Sequence, residues 1–255
     1  EFETEEGYFY QPIPRDRDNV YFKFSGLIPK FLIKTRARGH FPNFSKALKR
    51  VTKFNKSGEP LDRLILPMLD RQQWQDIATD LQKVITNAVI DDAVRQLPAE
   101  IYKKDSAYFT SALRQRRDQL IEAALRYYDH LSRDVEIVGT DKHEKVQLVQ
   151  QENGLLVRVY KIKKDGEIDK LLGERLFLPE ETKQISIYTL GGNDIFEVDT
   201  ENLPIKVVLN GGAGEDRYNG KAERSRIVIE DFEDGNVISL DGARTALTDE
   251  PAVKE

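Results

Sequence analysis

Apolar positions change period along the chain. Over residues 61–134 they recur at helical intervals, whereas from Val135 onward they alternate, as strands require. In the helical stretch, Trp74, Ile77, Leu81 and Ile85 mark one amphipathic helix, with Asp70 as its expected N-cap. Asn87 is the expected cap of a second, built on Val89, Ala93, Val94 and Leu97 and stopped at Pro98. A third and longest helix is expected from near Asp105 to about Ser132, with Leu113, Leu120, Ile121, Ala124, Leu125, Tyr128 and Leu131 on one face. Its other face, with Arg114, Arg116, Arg117 and Asp118, reads as the wet side. Beyond it, the alternating runs 155–160 and 174–178 flank Asp165-Gly166, a hairpin signal. The predicted class is α+β: a helical N-terminal half and a β-rich C-terminal half, solenoid-like or β-roll-like. The expected divisions are 1–60 (extended, aromatic and basic, packing on the helices), 61–134 (helical), 135–245 (β-rich) and a polar, frayed tail over 246–255.

A repeat underlies the β-rich half. Residues 209–218, Leu-Asn-Gly-Gly-Ala-Gly-Glu-Asp-Arg-Tyr, match the calcium-type nonapeptide at Gly211, Gly212, Gly214, Asp216 and Tyr218. Counting from Leu209, Asp216 stands at offset 7 and Tyr218 at offset 9. The same offsets give Ile187, Asp194 and Phe196, then Ile229, Asn236 and Ile238, and upstream Ile137, Glu144 and Val146. The last three copies are 22 and 20 residues apart, a spacing suited to stacked coils.

Stacking at about 4.8 Å would align Glu144, Asp194, Asp216 and Asn236 as a polar ladder. Like charges that close repel by roughly 1 kcal/mol in water and more where water is excluded. A cation would remove that penalty, and calcium, which accepts carboxylate and carbonyl oxygens, is the candidate cofactor. The other reading makes these Gly-Gly and Asp-Gly turns of a sheet, with Asx-turns and no metal.

Composition narrows the picture. With no cysteine among 255 residues, disulfides, cysteine-ligated zinc and a thiol nucleophile are excluded. No run of 18 apolar residues occurs, so no transmembrane helix is expected. A start at Glu1, without Met or a signal-peptide pattern, suggests a processed or excised piece of a larger protein, whose other domains are then the expected partners. The net charge of −5 is uneven. Residues 30–56 hold nine basic residues and no acidic one, whereas from Ile185 there are seven basic and fifteen acidic. Lys34, Arg36, Arg38, Lys46, Lys49 and Arg50, interleaved with Phe, form a candidate surface for anionic lipid or polysaccharide. Its plainer reading is a solvated face, and a nucleic-acid partner is not expected.

Chemistry is sparse. His40, His130 and His143 are widely spaced, and no Ser sits in a nucleophile elbow. Residues 20–24 alternate as a short strand. Just before them, Asp16 and Asp18 lie two apart on an extended segment, a spacing suited to Mg²⁺ held against phosphate, or else to surface ion pairs with Arg15 and Arg17.

Residues 10–27, with Pro-Ile-Pro-Arg-Asp-Arg-Asp and the following aromatic-Lys-Phe-x-Gly-Leu, resemble a segment of Bacteroidetes surface-antigen and metallophosphoesterase-associated multidomain proteins. The likeness continues through 96–102, 117–128, Gly139-Thr140-Asp141 and 181–194. It implies an exported protein, periplasmic or outer-membrane associated. It also implies a remnant similar to spore-coat kinases, in which Asp16 or Asp18 would hold the cation. The Asp-Arg-His, Gly-rich loop and Lys-Glu elements that such a kinase needs are not found ahead of them. The leading expectation is a non-catalytic interaction or structural module, with the kinase-like phosphotransferase and the anion-binding surface as alternatives. Whether the chain is an enzyme stays open at this point.

Overall fold

The computed structural model describes residues 2–4, 7–9, 21, 44–203, 205–222, 226–232 and 235–248. The 20–24 strand (Tyr21 apart), Asp16, Asp18, Lys34, Arg36 and Arg38 lie outside them. The fold is α+β, with six helices ahead of eleven consecutive strands among the described residues. Two short N-terminal strands, β1 (Phe2–Thr4) and β2 (Gly7–Phe9), pair antiparallel.

The helices are α1 (Val51–Phe54), α2 (Glu59–Ile65), α3 (Arg71–Val84), α4 (Asn87–Arg95), α5 (Ala99–Asp118) and α6 (Leu120–Leu131). Asp70 caps α3 as expected, its carboxylate accepting from the Gln73 N–H at 2.8 Å in a reciprocal capping box. The cap of α4 is Thr86, one residue before the expected Asn87, because its hydroxyl reaches the Val89 N–H. The expected long third helix is two helices. It begins six residues earlier, just after Pro98, and breaks at Gln119, whose side chain turns back to the Lys46 and Gln115 carbonyls.

α3 packs on α6 and α4 on α5. The buried stripe is narrower than the apolar pattern, since Ala78 is buried while Ile77 and Leu81 are 59% and 47% exposed. Arg114 is not on a purely wet face either: its guanidinium holds both oxygens of Asp91 at 2.7 and 2.8 Å, tying α5 to α4. Tyr21 and Phe44 both pack on Phe109 of α5, with ring centroids 4.9 and 5.8 Å away.

The strands β3 (Asp134–Val138), β4 (Glu144–Gln151), β5 (Gly154–Ile162), β6 (Ile168–Phe177), β7 (Gln184–Tyr188), β8 (Ile195–Thr200), β9 (Lys206–Asn210), β10 (Arg217–Ala222), β11 (Arg226–Phe232), β12 (Val237–Asp241) and β13 (Arg244–Thr248) fall into two sheets. One runs β12-β10-β8-β4-β5-β6 and the other β13-β11-β9-β7-β3. Strands β3, β7, β9, β11 and β13 pair in parallel, as do β4, β8, β10 and β12. The chain therefore crosses from one sheet to the other and back, each pass stacking on the last. Only β5 and β6 depart, as an antiparallel hairpin extending the sheet beyond β4, with Gly166 at its tip in the left-handed region that an Asp-Gly turn needs. The tail is ordered further than expected, because β13 pairs with β11.

The register is the one the offsets predict. Ile137, Ile187, Leu209 and Ile229 are successive partners in one sheet, and Val146, Phe196, Tyr218 and Ile238 in the other. Apart from the partly buried Ile238, these residues are almost fully buried and belong to one core between the sheets. Tyr218 stacks flat on Phe196, with centroids 4.6 Å apart and planes at 5°.

Helices and sheets meet at Arg175 of β6. Its guanidinium donates to the Pro67 carbonyl at 2.6 Å and to the Tyr128 hydroxyl at 3.0 Å, and lies 4.3 Å from the Phe177 ring centroid. Tyr128 in turn donates to Glu181, which also accepts from Arg71 at 2.6 Å. Burial pulls the Arg175 guanidinium below its ordinary value and pushes the Tyr128 hydroxyl up. The cavity beside them has about 20 Å³, room for roughly one water. Truncating one member of so buried a network leaves the others unpaired. Arg175→Ala is expected to lower the unfolding free energy by about 3 kcal/mol, read from urea unfolding curves followed by far-ultraviolet circular dichroism.

Candidate functional site

The offset-7 residues come together as a column buried between the two sheets, where each turn enters its second strand. Glu144, Asp194 and Asp216 are at most 1% exposed. Each rung is bonded to the next along the main chain. The Glu144 N–H donates to Asp194 Oδ1, the Asp194 N–H to Asp216 Oδ1, and the Asp216 N–H to Asn236 Oδ1, each at 2.7 Å. The side chain of one coil thus caps the backbone amide of the coil before it.

A second position, at offset 2, completes each rung and was not singled out in the sequence. It reads Gly139, Thr189, Gly211 and Asp231. At Gly139 and Gly211 a Cβ would collide with the carboxylate of Glu144 or Asp216, so the absent side chain makes room for the acid. In the last coil the arrangement is reversed. Asp231 is the buried acid, and Asn236 donates to it at 2.8 Å and to the Phe232 carbonyl at 2.9 Å. Asp231 also accepts from the Tyr218 hydroxyl and from the Gly212 N–H, and Tyr218 accepts from the Gly211 N–H at 2.8 Å. Every coil contributes one buried carboxylate. The signal was present as the Gly, Thr, Gly, Asp series, but it carries meaning only once offset 7 is known to face offset 2.

Two of the turns that hold the column, those of Leu190 and Gly212, use left-handed backbone at offset 3. Gly212 supplies it at φ 86°, whereas Leu190 adopts φ 66° with a side chain in place. A Cβ on Gly212 would overlap the Leu190 carbonyl, so the turns stack main chain on main chain.

No basic group offsets the burial of Glu144 or Asp194 among the described residues. Desolvation raises both carboxyls, Asp194 from 3.8 to about 8, with the neighbouring acids adding to the shift. Among the described residues the second oxygens, Glu144 Oε2 and Asp194 Oδ2, have no hydrogen-bond partner of good geometry, and the nearby Thr189 hydroxyl only partly offsets the rise at Asp194. Repulsion between stacked acids is thus met by amide donation and, at Asp194, by a carboxyl raised to about 8. Among the described residues no three His, Cys, Asp or Glu side chains are gathered as a metal-binding group.

Other sequence candidates lie apart from this column. Lys46, Lys49 and Arg50 are exposed ahead of α1. That stretch is instead held by its carbonyls: Ser45 accepts from Arg116 and Leu48 from Arg126. His130 bonds Glu59 on the helical side, whereas His143 accepts the Asn193 N–H at 2.8 Å. No family model, curated protein or solved structure matches the chain.

Two outcomes follow from the column. Below pH about 8 the native state binds a proton at Asp194 that the unfolded chain binds only near 3.8, so folding takes up a proton between those values. Stability from this group is therefore greatest near pH 4 and falls as pH rises towards 8, by up to about 1.4 kcal/mol per pH unit for one proton. Glu144 acts in the same direction, while Glu59 and Glu197, whose values are lowered, oppose it only towards the acid limit. Urea midpoints across that range check this, and Asp194→Asn is expected to flatten the profile. At the next rung, Asp216→Asn keeps the acceptor for the Asp194 N–H, as Asn236 does naturally, and is expected to be tolerated. Asp216→Ala leaves that amide uncapped and is expected to cost about 1–3 kcal/mol in the same assay.

Proposed function

We propose that the chain is a non-catalytic structural and interaction module of an exported, cell-envelope-associated bacterial protein. One observation carries the structural part: the carboxylates gathered in the β half face backbone amides of neighbouring coils, so their arrangement builds a scaffold and sets no nucleophile, acid or base against an open substrate position. The exported setting rests on the resemblance borne by residues 10–27 and the segments after them. The kinase-like alternative rests on Asp16 and Asp18, outside the described residues, and the anion-binding one in part on exposed Lys46, Lys49 and Arg50.

A second reading, calcium stabilisation of the β half, is favoured by the two buried oxygens without hydrogen-bond partners of good geometry among the described residues, Glu144 Oε2 and Asp194 Oδ2. Together with turn carbonyls they are the kind of oxygen donors that calcium accepts. In the scaffold reading the Asp194 carboxyl, raised to about 8, is relieved by a proton instead.

Thermal melts of metal-stripped protein with and without millimolar calcium separate the two. A cation bound only by the native state at about 100 times its Kd adds roughly 2.7 kcal/mol. The scaffold reading expects melting temperatures unchanged by calcium. A rise that Asp194→Asn abolishes would establish the calcium reading in its place.

A further inference from the structure

A cleft of about 510 Å³ lies where the tip of the β5–β6 hairpin overhangs the outer face of β8 and β10. It is within the size range of small-ligand sites. The tip is held over the sheet, since a Cβ on Gly166 would stand 3.8 Å from Ile195 Cδ1, ordinary contact distance. Ile162 and Ile195 supply apolar surface.

The polar groups around it are fixed by bonds made on their far sides. His143 Nδ1 accepts the Asn193 N–H, so the neutral ring carries its proton on Nε2 and is a donor there. Asn193 Oδ1 accepts the Glu215 N–H at 3.3 Å, which leaves the Asn193 amide as a second donor. Lys163 is engaged by Glu167 at 3.0 Å. Arg217 and Lys164 line the same cleft, are exposed, and have no ion-pair partner among the described residues. Glu215 adds a carboxylate acceptor on the rim, and Asp165, on the hairpin turn, is occupied in part by the Glu167 N–H at 3.0 Å.

We propose that this cleft binds an acidic saccharide, a sugar unit bearing one carboxylate. The Arg217 and Lys164 cations match a single carboxylate, the His143 and Asn193 donors and the Glu215 acceptor match ring hydroxyls, and Ile195 matches the C–H face of a pyranose. A compact multivalent anion such as phosphate fits less well, because Glu215 and Asp165 line the same cleft and repel a doubly charged ion more than a single carboxylate. A neutral sugar leaves both cations unanswered.

This assignment rests on the reading of the chain as an interaction module and deepens it. The test is isothermal titration of the full chain with trigalacturonate, maltotriose and inorganic phosphate. Saturable trigalacturonate binding is expected, with maltotriose at least about tenfold weaker and affinity falling with salt. Arg217→Gln is expected to weaken it by about tenfold or more, and Lys164→Gln by a smaller factor, because each removes one charge-assisted contact. Both residues are exposed, and an unchanged melting temperature shows that the fold is intact. The assignment is overturned by no saturable trigalacturonate binding up to about 10 mM, by binding that Arg217→Gln leaves unchanged, or by phosphate binding as tightly as the trisaccharide. If the melts leave the scaffold reading in place and the sugar does not bind, the module stands and the cleft assignment alone falls.

Discussion

Parallel strands stacked in register set like upon like, about 4.8 Å apart, and everything in the β half answers to that constraint. For apolar positions it is favourable: Ile137, Ile187, Leu209 and Ile229 form one continuous rung series, and Phe196 and Tyr218 stack ring on ring in the other. For acids the same geometry is costly, since carboxylates are brought together out of water. The chain meets that cost by turning each acceptor towards the amide of the preceding coil, so that the group which would repel its neighbour caps its neighbour's backbone.

A stack of this kind has ends, and sheet edges pair with whatever strands they meet unless covered. At the first coil both edges are covered. The β5–β6 hairpin pairs alongside β4, and α2 packs at β3. The hairpin is also why the first two copies of the repeat are 50 residues apart while the rest lie about one coil apart. It then serves three purposes: it closes an edge, carries Arg175 to the helices, and places its tip over the cleft beside His143 and Arg217. Helical layer and coil are thus joined through the one element that breaks the repeat.

Much of this was legible in the sequence because periodicity is a local signal. The α+β division, the Asp70 cap, the Asp165-Gly166 hairpin and the register of four repeat copies follow from residue spacing alone. What escaped depended on partners distant in the chain. The break at Gln119 is set by the Lys46 carbonyl, 73 residues away, as well as by its own helix, and apolar spacing does not register it. Ile77 and Leu81 fit a buried face by spacing, but the neighbouring helices cover only the Ala78 side. The exchange of acid and amide between Asp231 and Asn236 is not visible in the offset-7 series, which contains only Asn236 of that pair. In the fold it preserves the same carboxylate on the opposite side of the turn.

That preserved count bears on why the column is acidic at all. In the sheet of β3, β7, β9 and β11 the apolar rungs are interchangeable aliphatic residues, and a coil shifted along its neighbour by two residues would still set Ile or Val upon Leu. The acids remove that freedom. In the native register each has an amide facing it, whereas a shifted coil would bury a carboxylate against apolar side chains, at a cost of several kcal/mol. The amide at Asn236 shows that an uncharged acceptor suffices for the hydrogen bond, yet Asp231 then restores a buried acid on the other side of the same turn. Retention of the acid where the hydrogen bond alone does not demand it is what register specification requires. It assigns the column to the uniqueness of the fold more than to its stability, whereas on the outer face the side chains of Arg217 and Lys164 are free of ion-pair partners among the described residues.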